Sequence, residues 1–224
     1  MASRHEEKYI IDYKQYALLK SRIQGILTPD AHGDHGSYLI TSLYYDDHLD
    51  NALAEKLDGL PEHSKFRIRT YGCSDAVIHL ERKDKHGIMT HKLSADLTKA
   101  QVSGMLEGQF DLQSFSGAAY DLAAQMQSKK LIPTVAVRYL RDAYVYPGTD
   151  VRLTFDTDLE AISPDPQALF SSSFSGVPVL DRNSIIMEIK YGSHLPAFMR
   201  KLTNISCQQL SVSKYALCRE RIIR

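Results

Sequence analysis

The segments KFRIRTYG, residues 65–72, and IHLERKDK, residues 78–85, place charges at alternate positions among β-branched, aromatic and aliphatic residues. Side chains alternate across a strand, so parity divides each segment into two faces. Lys65, Arg67 and Arg69 then oppose Phe66 and Ile68, and His79, Glu81 and Lys83 oppose Ile78 and Leu80. The same division groups Arg4, Glu6 and Lys8. It sets Lys92 between His91 and Leu93, and Arg138 between Val137 and Tyr139. It also gathers Arg152, Thr154, Asp156 and Asp158 on one face, and sets Glu188 and Lys190 against Ile185, Met187 and Ile189. Arginine presents a fixed fork of donors that suits phosphate oxygens, and carboxylates supply hard oxygen ligands for a divalent cation. Phosphate chemistry is what these residue types could do together.

A solvated sheet face also alternates, but in a chain with 27 Lys and Arg against 27 Asp and Glu it should mix the signs. Leaving out Lys65 at a strand edge, the polar faces hold nine bases and five acids. The bases are Arg4, Lys8, Arg67, Arg69, Lys83, Lys92, Arg138, Arg152 and Lys190; the acids are Glu6, Glu81, Asp156, Asp158 and Glu188. The excess predicts a sheet closed on itself with its polar faces inward, concentrating positive potential for an elongated polyanion. Such a lumen stays wet until an anion enters, because like charges packed without a ligand are costly. Arg141 falls on the opposite face from Arg138. It either pairs outside with Asp142 or a helix carboxylate, or is turned inward by a bulge.

The elements that must position these residues are legible as patterns. Tyr16, Leu19, Ile23, Ile26 and Leu27 recur at helical spacing behind Asp12, a cap residue. YLITSLYYD reads as a strand with Tyr44 and Tyr45 in the core, and DKHG as the turn into IMTHKLS. Residues 98–130 read as two helices, the second with Ala119, Leu122, Ala123 and Met126 on one face. Strands resume in TVAVRYLRDAYVY, VRLTFDTDL and SIIMEIKYG, with a loop at 163–183 before the last. A short helix follows Pro196, and a final one follows Ser211 or Ser213.

Composition fits one domain spanning residues 1–224, with 43 % hydrophobic and 24 % charged residues. Charge balance gives no reason to expect nucleic acid as a partner. Cys73, Cys207 and Cys218 read as reduced thiols, the latter two buried, and no segment reads as a signal or a membrane span. A cytoplasmic protein that does not itself insert in a membrane is the expectation. His32, Asp34 and His35 in HGDHG read as a polar loop before a transition-metal site.

In order along the chain, RHEEKYII, SLYYDD, EKLDG, KFRIRTYG, LERKDKHG, VRYLRDAY, RLTFD, MEIKY with LP after it, and SVSKY resemble one family. It is the VTC (vacuolar transporter chaperone, polyphosphate polymerase) domain of the triphosphate tunnel metalloenzyme superfamily. The resemblance implies an α+β fold: an antiparallel eight-stranded β-barrel tunnel with helices packed outside and a C-terminal plug helix. It implies phosphate binding by Lys8, Arg67, Arg69, Lys83, Lys92, Arg138 and Arg152, which Lys190 joins by its parity, and by Ser213 and Lys214 at the plug. Glu188, with Glu6, would hold Mn or Mg. The catalytic set would be Lys8, Arg67, Arg69, Lys83, Arg138, Arg152 and Glu188. ATP or another triphosphate and polyphosphate are the expected partners, and polyphosphate synthesis from ATP the expected reaction. The alternatives are a triphosphatase and a non-catalytic module binding polyphosphate or inositol phosphates. The superfamily's hydrolytic branch carries Glu-x-Glu-x-Lys on the first strand; Arg4 replaces the first Glu here, which favours the polymerase-like branch.

Overall fold

A computed structural model describes residues 5–30, 37–87, 89–106, 111–205, 207 and 209–223. Arg4 and the loop bearing His32, Asp34 and His35 lie outside the described residues. The strands are β1 (His5–Ile11), β2 (Thr28–Pro29), β3 (Ser37–Asp46), β4 (Glu62–Tyr71), β5 (Ser74–His86), β6 (Met89–Asp96), β7 (Ile132–Val145), β8 (Arg152–Ile162), β9 (Val177–Pro178) and β10 (Ile185–Tyr191). The helices are α1 (Tyr13–Ile23), α2 (Asn51–Leu57), α3 (Lys99–Leu106), α4 (Gly117–Ser128), α5 (Ala197–Leu202) and α6 (Lys214–Ile223).

Local chemistry accounts for several boundaries. The Asp12 carboxylate accepts from Gln15 N while the Gln15 side chain accepts from Asp12 N, a reciprocal cap that starts α1. Gly72 and Cys73 both have positive φ, 61° and 56°, which lets a tight turn join β4 to β5. Helix α2 carries no obvious sequence pattern; the buried Asp46 carboxylate, accepting from Ala52 N and Leu53 N, fixes its start.

Every pairing is antiparallel, and the strands run β1-β10-β8-β7-β3-β4-β5-β6, with β2 added to β7 and β9 to β8. The eight-strand path has the expected number of strands, but the expected closed barrel is corrected: among the described residues no ladder joins β1 to β6. Backbone closure needs strands about 4.8 Å apart with matched tilt and stagger. Here the sheet curls, and a lysine side chain bridges the gap instead, Lys83 on β5 reaching Glu6 on β1 at 2.7 Å.

Apolar residues on the outer faces are covered by helices. Leu43, Phe66, Ile68, Ile78 and Leu80 pack with Val102 of α3 and Leu122, Ala123 and Met126 of α4. On the other flank Leu153, Phe155, Met187 and Ile189 pack with Leu19 and Ile23 of α1 and Met199 of α5. Helix α6 is placed differently. Its Tyr215, Ala216 and Cys218 cluster with Val135, Val137, Tyr139, Leu159, Ala161 and Ile186, on the concave side of the sheet. Part of the concave face is thus filled by a helix, and the charges line the cleft beside it.

Candidate active site

The long β4–β5–β6 meander holds much of the basic lining, in rows set by register. Arg69 faces His79, Arg67 faces Glu81, and Lys65, Lys83 and Lys92 stand directly opposite one another across three strands. Like charges in that relation destabilise a sheet unless something between them is negative. Across the concavity, β1, β10 and β8 present Lys8, Glu188 and Thr154 in one row and Glu6, Lys190 and Arg152 in the next.

Two cavities, of about 380 and 800 Å³, share Glu6, Arg67, Arg69, Lys83, Thr90, Arg141 and Lys190 in their linings and so form one continuous cleft. Lys8, Glu188, Ser213 and Lys214 line the first, Lys92 and Arg152 the second. The cleft therefore brings together every expected site residue except Arg138.

Arg138 is corrected. Its guanidinium donates to the carbonyls of Ala168 and Ser171 at 2.8 and 2.7 Å, to that of Phe174 at 2.8 Å, and to Thr41 Oγ1. It holds down the 163–183 excursion on the outer side. Only one parity of β7 can face the cleft, and pairing of Ser42 with Val137, Ile40 with Tyr139 and Tyr38 with Arg141 turns the odd residues inward. Arg141 is the inward arginine. Opposite Tyr139, a bulge with Asp158 at φ 52° shifts the register of β8, so Leu159 and Ala161 face α6 and the exposed Asp158 leaves the polar face expected of it. Tyr44, expected in the core with Tyr45, lines the cleft, and its hydroxyl accepts from Arg67 Nη1 at 2.8 Å. Tyr139 and Lys65 line it as well.

Most cations deep in the cleft have a carboxylate, whereas Arg69 donates to Ser42 Oγ and Tyr139 OH, at 3.0 and 3.2 Å. Arg67 and Lys92 share Glu81, at 2.6 and 2.8 Å. Arg141 makes two bonds to Asp156, at 2.6 and 2.8 Å, and Lys214 reaches the same fully buried carboxylate at 2.6 Å. Arg152 is bonded to Asp30 and to Tyr38 OH. Burial opposes ionisation of Asp156, but Arg141 and Lys214 outweigh it and lower its pKa. Glu81 is held far below the carboxylate range, burial being outweighed by Arg67, Arg69 and Lys92. Burial and then Lys8 bring the Lys83 ammonium down to about 8.

Glu6 and Glu188 share their partners: Lys8 lies 3.7 Å from each, and Lys190 lies 3.8 and 3.5 Å from them. Glu188 is held well below its usual pKa, burial being outweighed by Lys190, Lys8, Lys214 and Lys83; Glu6 is lowered too, burial being outweighed by Lys190, Lys83 and Lys8 together. Thr154, the cross-strand neighbour of Glu188, has a buried hydroxyl with no partner among the described residues. Among those residues no three His, Cys, Asp or Glu side chains cluster for a metal. Two convergent carboxylates and a hydroxyl nevertheless fit a hard cation such as Mg or Mn. Mg is commonly held by one or two carboxylates together with water and substrate phosphate oxygens.

A curled antiparallel sheet whose concave face carries arginines, lysines and carboxylates around one continuous cleft defines the architecture of this protein. A model of the VTC domain matches residues 3–223, and the chain belongs to that family. Among solved structures it is similar to a candidate adenylate cyclase from Bacillus halodurans, at 14 % identity and a TM-score of 0.50, over 100 % of this chain and 89 % of that one. It is also similar to a protein from Pyrococcus horikoshii OT3, at 10 % identity and a TM-score of 0.52, over 97 % of each chain. At these identities the likeness shows the fold alone. None of the curated proteins matches the chain. Among the described residues no helix is long and apolar enough to cross a membrane.

Proposed function

We propose that this chain transfers the terminal phosphoryl group of a nucleoside triphosphate, with ATP the donor we favour, to phosphate or to a growing polyphosphate chain. The observation that carries the proposal is the cleft itself: one continuous concavity with Arg67, Arg69, Arg141, Lys83 and Lys190 along it and two carboxylates converging on shared lysines. Phosphoryl transfer needs alignment of attacking and leaving oxygens and neutralisation of charge more than covalent chemistry from the protein. Arg67, Arg69 and Arg141 supply forks for the phosphate oxygens. Lys8, Lys83 and Lys190, which neutralise Glu6 and Glu188 when no anion is bound, stand where they would also meet the phosphates. Glu188, Glu6 and Thr154 would hold Mn or Mg. Bound there, the ion would supply positive charge that offsets charge on the transferred group. At the other end of the cleft Tyr38, Ile40, Tyr71, Val77 and His79 form a more apolar and aromatic mouth, suited to a nucleoside.

The test is an assay of the purified protein with ATP or tripolyphosphate and Mn or Mg, resolving long-chain polyphosphate from free phosphate. Polyphosphate formed with release of ADP supports the polymerase reading. Free phosphate alone would replace it with a triphosphatase, and tight binding without turnover would replace it with a binding module.

A further inference from the structure

The outer face of the β5–β6 hairpin carries side chains that the cleft does not use. Lys83 and Lys85 point into the cleft, so the alternate residues Arg82, Asp84 and His86 point outward. Register confirms the face: Arg82 stands opposite Phe66 and Leu93, which belong to the apolar cluster under α3 and α4. One end of this outer face is polar. Glu62 of β4 lies directly across from His86, and His91 of β6 lies across from Asp84, diagonal to His86. Diagonal neighbours on one sheet face are within reach of large side chains, and the two imidazoles meet, with ring centroids 5.8 Å apart and planes at 62°.

An edge-to-face ring pair by itself is ordinary packing. The carboxylate beside it points to a ligand. Glu62 Oε1 lies 3.7 Å from His86 Nδ1, although the two side chains are 77 % and 55 % exposed, and so exposed a pair adds little to stability. A carboxylate on the Nδ1 side favours the proton there and leaves the lone pair on Nε2, which is how metal-binding histidines are commonly oriented. Asp84 is committed elsewhere, to Arg82 at 2.8 Å and to Ser64 Oγ at 2.6 Å. An ion held by two imidazole nitrogens at about 2.0–2.1 Å sets the ring centroids roughly 4.5–6.4 Å apart, depending on the angle at the ion. The observed separation falls inside that range, so rotation of the rings suffices and the backbone need not move.

We infer that His86 and His91 form a transition-metal site on the outer face of the hairpin, which takes Cu2+ through two imidazole nitrogens while Glu62 orients His86. Cu2+ stands highest among the divalent first-row ions for nitrogen donors, and its tetragonal shell accepts nitrogen and oxygen together. Among the described residues no third ligand completes the set, so water takes the remaining positions. The site is independent of the proposed phosphoryl transfer. It lies on the opposite face from Lys83 and Lys85, and its nitrogen donors differ from the hard carboxylates Glu6 and Glu188. A bound ion clips β6, the last strand of the path, to β5.

Titrating the whole chain with CuCl2, followed by calorimetry and by electron paramagnetic resonance at one equivalent, tests this. One Cu2+ per chain is expected, with hyperfine coupling to two imidazole nitrogens. H86A/H91A should lose the site, H91A alone should show one nitrogen fewer, and E62Q should bind about tenfold more weakly. The substitutions sit on the face away from the cleft, and circular dichroism checks that each variant folds. Parent affinity in H86A/H91A, loss of the ion in H32A/H35A instead, or a spectrum with oxygen ligands alone would overturn the site. Parent affinity in E62Q would overturn the part given to Glu62.

Discussion

Replacing Asp156 by Asn tests the electrostatic construction of the cleft most directly. Asp156 is fully buried and neutralises both Arg141 and Lys214 through contacts of 2.6–2.8 Å. Asn keeps the shape but removes the charge, leaving Lys214, whose side chain is only 12 % exposed, without its bonded counter-ion and Arg141, 8 % exposed, with only the more distant Glu188 at 3.9 Å. Breaking a buried pair from one side costs about 3–5 kcal/mol, because an uncompensated charge stays behind. For a domain of this size each kcal/mol lowers Tm by roughly 2–4 °C, so a fall of about 6–20 °C is expected. The same substitution should improve anion binding, since the two cations no longer have that carboxylate to leave. Tripolyphosphate affinity is expected to rise about tenfold, or ~1.4 kcal/mol. Urea unfolding with and without tripolyphosphate, together with calorimetric binding, reads both effects. Adding Arg141→Met removes one stranded cation and should restore part of the stability if D156N is too weakly folded to assay. A stability loss below about 1 kcal/mol combined with unchanged affinity would refute the reasoning.

Three further outcomes follow from the same geometry. Arg138→Met should cost about 2–3 kcal/mol through the stranded carbonyls of residues 168, 171 and 174 yet leave tripolyphosphate affinity unchanged, whereas Arg141→Met should weaken that affinity at least tenfold; titration calorimetry on both variants separates the two roles. Glu188→Gln should abolish turnover while tripolyphosphate still binds, and unchanged turnover in the Mn or Mg assay would remove Glu188 from the proposed metal site. Two pH effects have opposite signs. Glu188, Asp156 and Glu81 have depressed pKa values in the fold, so their stabilisation is present above the ordinary carboxyl range near 4 and is lost as pH falls below it, which acid unfolding curves will show. Lys65 is brought down to about 7 by burial and by Lys56, Lys8, Lys83 and Lys85, so a bound polyanion at pH 8 should draw a proton onto it. Calorimetry in two buffers of different ionisation enthalpy should detect that uptake, and Lys65→Arg should reduce it.

The division of labour between sequence and tertiary structure is visible in particular residues. Alternation in KFRIRTY, AVIHLERKD and MEIKY determined which side chains share a face, because a period of two is a property of the strand itself. Reading the charged parity as inward placed Lys8, Arg67, Arg69, Lys83, Lys92, Arg152, Glu188 and Lys190 in what the structure makes one cleft. The cap at Asp12 and the apolar stripe of α4 were equally local, and equally legible. Parity could not choose between Arg138 and Arg141, three residues apart on one strand with opposite directions. Pairing of β7 with β3 decided it, and a positive φ at Asp158 on the partner strand let β8 follow. Tyr44 and Lys65 depended on the same kind of information. An aromatic or a strand-edge lysine looks alike in a core, on a surface or in a cleft until the neighbouring strands and α6 fix what it faces. Closure was also beyond the sequence, since alternation says that a sheet has a polar face but not how far the sheet must curl. Here it curls until Lys83 can reach Glu6, and the remaining gap is spanned by their side chains.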